Sequence, residues 1–166
     1  MALAHTTEIA ARIIEFVIET GLEVRTEKIH EKTIVPGIIV HHGGLVVDPA
    51  QWIYPGDLLH EAGHLAVMEP QRRGQCHIDV GNDAAEEMMA IAWSYAASVH
   101  LGLSPSIVFH EGGYRGGSKT LVENFTQGRY FGVPMLQWVG MTAEPKQASA
   151  MKVLPYPHML RWLRDS

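Results

Sequence analysis

The chain has 166 residues, of which 46% are hydrophobic and 19% are charged, so it can bury a core and is not intrinsically disordered. Its formal net charge of −5 is the opposite of the basic excess that nucleic-acid binding requires. No apolar stretch approaches the roughly 18 residues that a membrane span needs. We therefore expect neither a nucleic acid nor a membrane as a partner.

The single cysteine, Cys76, excludes an internal disulfide framework and is typical of proteins from a reducing compartment. Residues 1–16 carry Glu8 and Glu15 and lack the charged-then-apolar layout of a signal peptide. These two observations favour a cytoplasmic location.

The first part of the chain predicts a helix followed by a β-hairpin. Apolar residues at helical spacing predict a helix over Thr7–Thr20, with Gly21 as the left-handed residue that follows it. Two β-branched runs, Ile34–Val40 and Leu45–Val47, flank the sequence His-His-Gly-Gly. Because glycine readily adopts a positive φ, the segment His41–Gly44 predicts the turn of a hairpin.

The second part predicts mainly helices. The residues Pro55-Gly56-Asp57 begin a second helix that Pro70 ends, and a third helix over Ala84–Leu101 is apolar on most of its circumference. The other segments predict a loop over Gln71–Asn82, a glycine-rich connection over Ser104–Gly117 and a short helix over Ser118–Gln127. The fold class is therefore expected to be α+β, as one domain over residues 1–166, with core helices and a small antiparallel sheet or hairpin.

A His-Glu-x-x-His motif, His60-Glu61-Ala62-Gly63-His64, falls within the predicted second helix. Residues four apart share one face of a helix, so the imidazoles of His60 and His64 can bind a single ion. Glu61 projects near that ion, where it can accept a proton from a bound water and act as the catalytic base. Zinc is the expected cofactor, and the Irving–Williams order also admits other divalent ions. A catalytic zinc site needs a third protein ligand.

Acidic residues at the start of the third helix are the candidates for this third ligand. Glu87 shares a narrow polar stripe with Ser94 and Ser98, which predicts that its carboxylate faces solvent. Glu86 shares its face with apolar residues, where a carboxylate needs a partner such as a metal. Asp83 is predicted as the N-cap, and a capping box with Asp83 is the competing interpretation of Glu86. Glu86 is the preferred ligand, and Glu87 is the alternative.

The motif and the helical glutamate that follows it resemble the zincin metallopeptidases of the gluzincin type, and most of all the small ImmA/IrrE-type domains. The resemblance covers about residues 34–101. It implies a zinc ion held by His60, His64 and Glu86 or Glu87, and a hydrolase that acts on a peptide or protein substrate. It also implies a β-strand beside the motif helix, along which an extended peptide is held. The predicted hairpin would supply that strand.

A metal-binding regulatory or sensor domain without proteolytic activity is the second hypothesis, because an intact motif does not by itself produce turnover. In the glycine-rich segment, Tyr114, His110 and Arg115 are candidate donors to an oxyanion, with an ordinary surface loop as the simpler interpretation. The pair His41-His42 likewise favours a hairpin turn over a pair of metal ligands. The sequence predicts no particular oligomeric state.

Overall fold

The structure is a computed structural model that describes residues 2–165, with side chains described from Thr7 onward. A single 3₁₀ turn over Tyr114–Gly116 accompanies the α-helices and strands of this range. In chain order these are α1 (Ala2–Glu19), β1 (Val24–Thr26), β2 (Ile38–His41), β3 (Gly44–Val47), α2 (Gly56–Val67), α3 (Pro70–Gln75), α4 (Ala84–His100), α5 (Pro105–Val108), α6 (Ser118–Thr126), α7 (Val133–Trp138) and α8 (Pro145–Met151).

The three strands form one mixed sheet in the order β1-β3-β2. Strands β2 and β3 pair antiparallel, with Ile38 opposite Val47. The two residues between them, His42 and Gly43, have φ angles of 49° and 82°, as a type I′ turn requires. The predicted hairpin and the predicted α+β fold class are thus confirmed. Strand β1, which the sequence did not predict, pairs parallel with β3 and makes the sheet mixed.

Helix α4 is the central element, and it packs against α2, α5 and α7. Two of its serines, Ser94 and Ser98, are fully buried, and their hydroxyls donate hydrogen bonds to carbonyl oxygens one turn earlier in the same helix. The side chain of Asp83 accepts hydrogen bonds from the backbone N–H groups of Ala85 and Glu86. The predicted N-cap is therefore confirmed, and it fixes where α4 begins.

A glycine within the motif allows α2 to lie very close to α4. A Cβ atom at Gly63 would lie 2.9 Å from the carbonyl oxygen of Ala90 and 3.2 Å from the ring of Trp93. Any side chain at this position would therefore push the two helices apart. Close contact between α2 and α4 brings the motif histidines opposite the first turn of α4.

The C-terminal segment is attached to α4 by side-chain hydrogen bonds. The indole N–H of Trp93 donates to the carbonyl oxygen of Trp162 at 2.9 Å, and the Tyr156 hydroxyl donates to the carbonyl oxygen of Ala92 at 2.8 Å. The rings of Trp93 and Trp162 also contact Phe16 of α1. Both ends of the chain therefore cover the central helix.

Two predictions from the sequence are wrong. The second helix ends at Val67, before Pro70 as predicted, but Pro70 then begins the short helix α3, which covers part of the loop predicted over Gln71–Asn82. Proline is well tolerated in the first turn of a helix, where its missing N–H has no helical partner. The first helix begins at Ala2 instead of Thr7. Between residues 2 and 165 no helix combines the length and the apolar character needed to cross a membrane.

Candidate metal centre

The structure brings His60, His64 and Glu87 together at the contact between α2 and α4. The Nε2 atoms of the two histidines lie 3.1 Å apart. One carboxylate oxygen of Glu87 lies 2.9 Å from Nε2 of His64, and the other lies 3.6 Å from Nε2 of His60. Three potential donor atoms from two helices therefore converge on one point.

These three residues fit a zinc ion. Zinc binds imidazole nitrogen and carboxylate oxygen at about 2.0–2.2 Å, so the donors of a tetrahedral site lie about 3.3 Å from one another. The separations of 2.9–3.6 Å within the cluster span that value. Two histidines and one glutamate also form a donor set of a catalytic zinc site, in which the fourth position stays open.

The preference for Glu86 as the third ligand does not match this arrangement. Glu86 is buried, and its carboxylate forms a bidentate ion pair with the guanidinium of Arg72. The prediction that this carboxylate has a partner is confirmed, but the partner is an arginine from α3. The side chain of Glu86 also does not form the capping box with Asp83, which caps the helix alone.

Glu87 was expected to face solvent because it shares a stripe with Ser94 and Ser98. Both serines are fully buried, so the stripe faces the protein, and only the Glu87 side chain at its end is partly exposed. Interaction with the imidazoles of His60 and His64 holds the pKa of Glu87 well below its usual range. Burial opposes protonation of His60, but the carboxylates around it, with Glu87 foremost, outweigh burial and raise the pKa of His60.

Glu61 and Glu87 line different cavities. Burial raises the pKa of Glu61, and the adjacent charges of His60 and His64 oppose that rise. The side chain lines a small cavity of about 90 Å³ together with β2 and residues 78–80. The predicted base and the edge strand of the sheet therefore line one cavity.

Tyr114 reaches the cluster from the glycine-rich connection. Its hydroxyl lies 3.2 Å from Nδ1 of His60, on the side of the ring opposite the converging Nε2 atoms. The backbone at Tyr114 and Arg115 has φ angles of 54° and 50°, an unusual conformation for residues other than glycine. Burial raises the pKa of Tyr114, so its hydroxyl stays protonated at neutral pH. The interpretation of this segment as an ordinary surface loop does not hold for Tyr114.

The other two residues considered in this segment do not contact the cluster. His110 is buried, lies with Nε2 at 2.6 Å from Oδ1 of Asp57, and stacks on the ring of Tyr54. Arg115 lines an open groove of about 940 Å³, which also includes Tyr114 and Glu87 and runs between the start of α4 and α6. The groove gives a ligand access to the Glu87 side of the cluster.

Comparison with known proteins gives no relative from which the function could be inferred. No protein-family model, curated protein or solved structure matches the chain.

Proposed function

We propose that this chain is a zinc-dependent hydrolase, a peptidase, in which His60, His64 and Glu87 hold the metal and Glu61 is the general base. The observation that carries this proposal is the meeting of His60, His64 and Glu87, with each imidazole Nε2 within 3.6 Å of a carboxylate oxygen of Glu87. Two of these residues lie on the helix that also carries Glu61. Membership of the gluzincins and a cytoplasmic location stay predictions.

Zinc bound at this site would supply a Lewis acid and make a coordinated water acidic enough to lose a proton near pH 7. Glu61 would accept that proton at its carboxylate and return it to the leaving amine. Its raised pKa makes Glu61 a stronger base than an ordinary glutamate.

Tyr114 would act as a positioning residue. If Nδ1 of His60 carries the proton, it donates to the Tyr114 oxygen, and the lone pair of Nε2 then faces the metal. Such a hydrogen bond fixes both the tautomer and the orientation of the imidazole. In that arrangement Tyr114 holds His60 in the form that binds a metal.

The edge of β2 supports a peptide as the substrate class. Strand β2 pairs with β3 on one side only, and its other side borders the cavity that Glu61 lines. An extended peptide can pair with such an edge through its main chain and place its carbonyl groups along the strand. Ile34 and Ile78, which line the same cavity, are largely exposed and offer apolar contacts to substrate side chains.

Hydrolysis of a peptide library by the zinc-loaded protein, read by mass spectrometry, tests this proposal. Glu61→Gln should keep the zinc and lose the hydrolysis, because the amide cannot accept the proton. Glu15→Gln makes the same chemical change at an exposed position of α1 and should cleave at the wild-type rate. Equal cleavage by the Glu61→Gln protein would contradict the assigned role of Glu61.

The second candidate is a metal-binding regulatory domain without proteolytic activity, and one contact favours it. The backbone N–H of Ile78 donates to the carbonyl oxygen of Val40 at 2.8 Å, so part of the β2 edge is already paired within the chain. This candidate predicts a full complement of zinc but no cleavage by the wild-type protein of any peptide in the library.

A further inference from the structure

A second group of histidines lies around the turn between β2 and β3 and does not belong to the motif. His41 and His42 are at the hairpin turn, and His77 is in the segment that joins α3 to α4. All three are exposed, and each offers one ring nitrogen within 4.8 Å of the others. The rings of His42 and His77 stack with centroids 4.4 Å apart, and that of His41 lies edge-on to both.

The backbone holds these residues together. The N–H of Gly43 donates to the carbonyl oxygen of Cys76 at 2.9 Å, and the N–H of Ile78 donates to the carbonyl oxygen of Val40 at 2.8 Å. The residues on either side of His77 are therefore both hydrogen-bonded through the main chain to the same hairpin. The turn is also packed tightly, because a Cβ atom at Gly43 would lie 2.6 Å from the carbonyl oxygen of Arg73.

We infer that His41, His42 and His77 form a second metal site, which takes a borderline divalent transition cation such as Zn²⁺ and ties residues 76–80 to the hairpin. Imidazole is a common ligand of such cations, and three imidazoles with solvent in the remaining position complete a tetrahedral zinc site. Donor atoms about 3.3 Å apart are needed. The ring nitrogens lie within 4.8 Å of one another, so the exposed rings must turn toward the ion when it binds.

Arg25 competes with the metal for His41. Its guanidinium lies 2.9 Å from Nδ1 of His41 and also pairs with Glu23 and Glu27. A guanidinium only donates hydrogen bonds, so Nδ1 accepts the bond and Nε2 of a neutral ring then carries the proton. A metal that binds His41 must therefore displace Arg25 from its ring. The two glutamates remain as partners for Arg25 once His41 is released.

Zinc stoichiometry distinguishes this site from the motif site. After equilibrium dialysis against ZnCl2, metal analysis should find two zinc ions per wild-type chain and one in either His64→Ala or His42→Ala/His77→Ala. Combining all three substitutions should leave none. His158→Ala removes an exposed histidine outside both groups and should keep two.

The two proposals fail in different ways. If wild type binds one zinc and His64→Ala binds none, the second site is refuted and the motif site stands. If the zinc of wild type is lost in His42→Ala/His77→Ala and kept in His64→Ala, the second site stands and the motif site fails. Circular dichroism identifies a variant that has simply unfolded.

Hydrogen exchange gives an independent readout of the tie between the two segments. Zinc should slow exchange of the Ile78 amide in the His64→Ala protein, because the metal holds residues 76–80 on β2. The same amide should not respond to zinc once His42 and His77 are also replaced. Arg25→Met should bind the second zinc several-fold more tightly than wild type. Weaker binding by Arg25→Met, or an Ile78 amide that zinc does not slow, would overturn the inference.

Discussion

The carboxylate of Glu87 lies 2.9 Å from Nε2 of His64, across the contact between α2 and α4. This pair joins the His-Glu-x-x-His helix to the central helix α4. The residue immediately before Glu87, Glu86, forms an ion pair with Arg72. Two adjacent carboxylates on one helix therefore have different partners. Substituting them one at a time tests a metal-binding role for Glu87 and a structural role for Glu86.

Glu87→Gln should abolish zinc binding at the motif, because the amide is a much poorer zinc ligand than the carboxylate. Glu86→Gln changes the same atoms one residue earlier and should keep the zinc. Its expected effect is on stability, because the variant weakens the ion pair of a buried carboxylate with the half-exposed Arg72. Metal analysis and thermal unfolding of the two proteins, each compared with wild type, measure both effects. Zinc retained by Glu87→Gln and lost by Glu86→Gln would restore Glu86 as the ligand.

Gly63→Ala should destabilise the fold and weaken zinc binding together. The added methyl group meets the backbone of α4, and overpacking of this kind costs about 1–3 kcal/mol. In α3, a Cβ atom at Gly74 would have no atom within 4 Å. Gly74→Ala should therefore be neutral or stabilise by up to about 1 kcal/mol through helix propensity. Urea unfolding of both variants measures the difference, and an undiminished stability of Gly63→Ala would contradict the close helix contact.

Tyr114→Phe should lower the zinc affinity of the motif site by about 10–100-fold, the usual effect of losing a partner that orients a ligand. Ring packing against Phe109 and His60 remains, so the stability of the fold should change little. Competition with a fluorescent chelator measures the affinity, in the His42→Ala/His77→Ala background so that a single site is observed. Tyr130→Phe is the control, since Tyr130 is partly exposed and lies away from the cluster. Equal zinc affinities of the Tyr114→Phe and Tyr130→Phe proteins would contradict a positioning role for Tyr114.

Asp48→Asn should destabilise the protein near pH 7, and the difference from wild type should shrink in acid. Backbone hydrogen bonds from Ile29 and Ala50, with one from the Gln51 side chain, lower the pKa of Asp48. The stabilisation is fully present above the pKa of the unfolded chain, about 3.9. It is lost as the pH falls through the lower pKa of the folded state. Urea unfolding between pH 3 and 7 tests this, and a difference that grows in acid would contradict it.

Local patterns were enough to predict the elements that carry the motif. The glycines of the turn predicted the hairpin. Apolar residues at helical spacing, with Asp83 as the N-cap, predicted α4. Strand β1 was not predicted because its three residues lie in a charged segment and pair in parallel with β3, which follows it by almost twenty residues. Parallel pairing over such a distance leaves no turn signal in the sequence.

Glu86 was preferred over Glu87 from the sequence because polar residues of α4 were assumed to face solvent. A helix that is apolar on most of its circumference is covered on all sides, so its polar stripe faces a partner in the protein. Ser94 and Ser98, both fully buried, show this directly. That rule would have favoured Glu87 from the sequence alone. The contact of Tyr114 with His60 was beyond such reasoning, because it depends on two successive residues with positive φ.

Zinc content measured by inductively coupled plasma mass spectrometry tests the motif site most directly. The proteins to compare are His42→Ala/His77→Ala with and without His64→Ala, purified without a histidine tag or chelator. We predict about one zinc per chain in the first and none in the second. Equal zinc in the two proteins, or none in either after reconstitution with ZnCl2, would contradict a metal centre built on His60, His64 and Glu87.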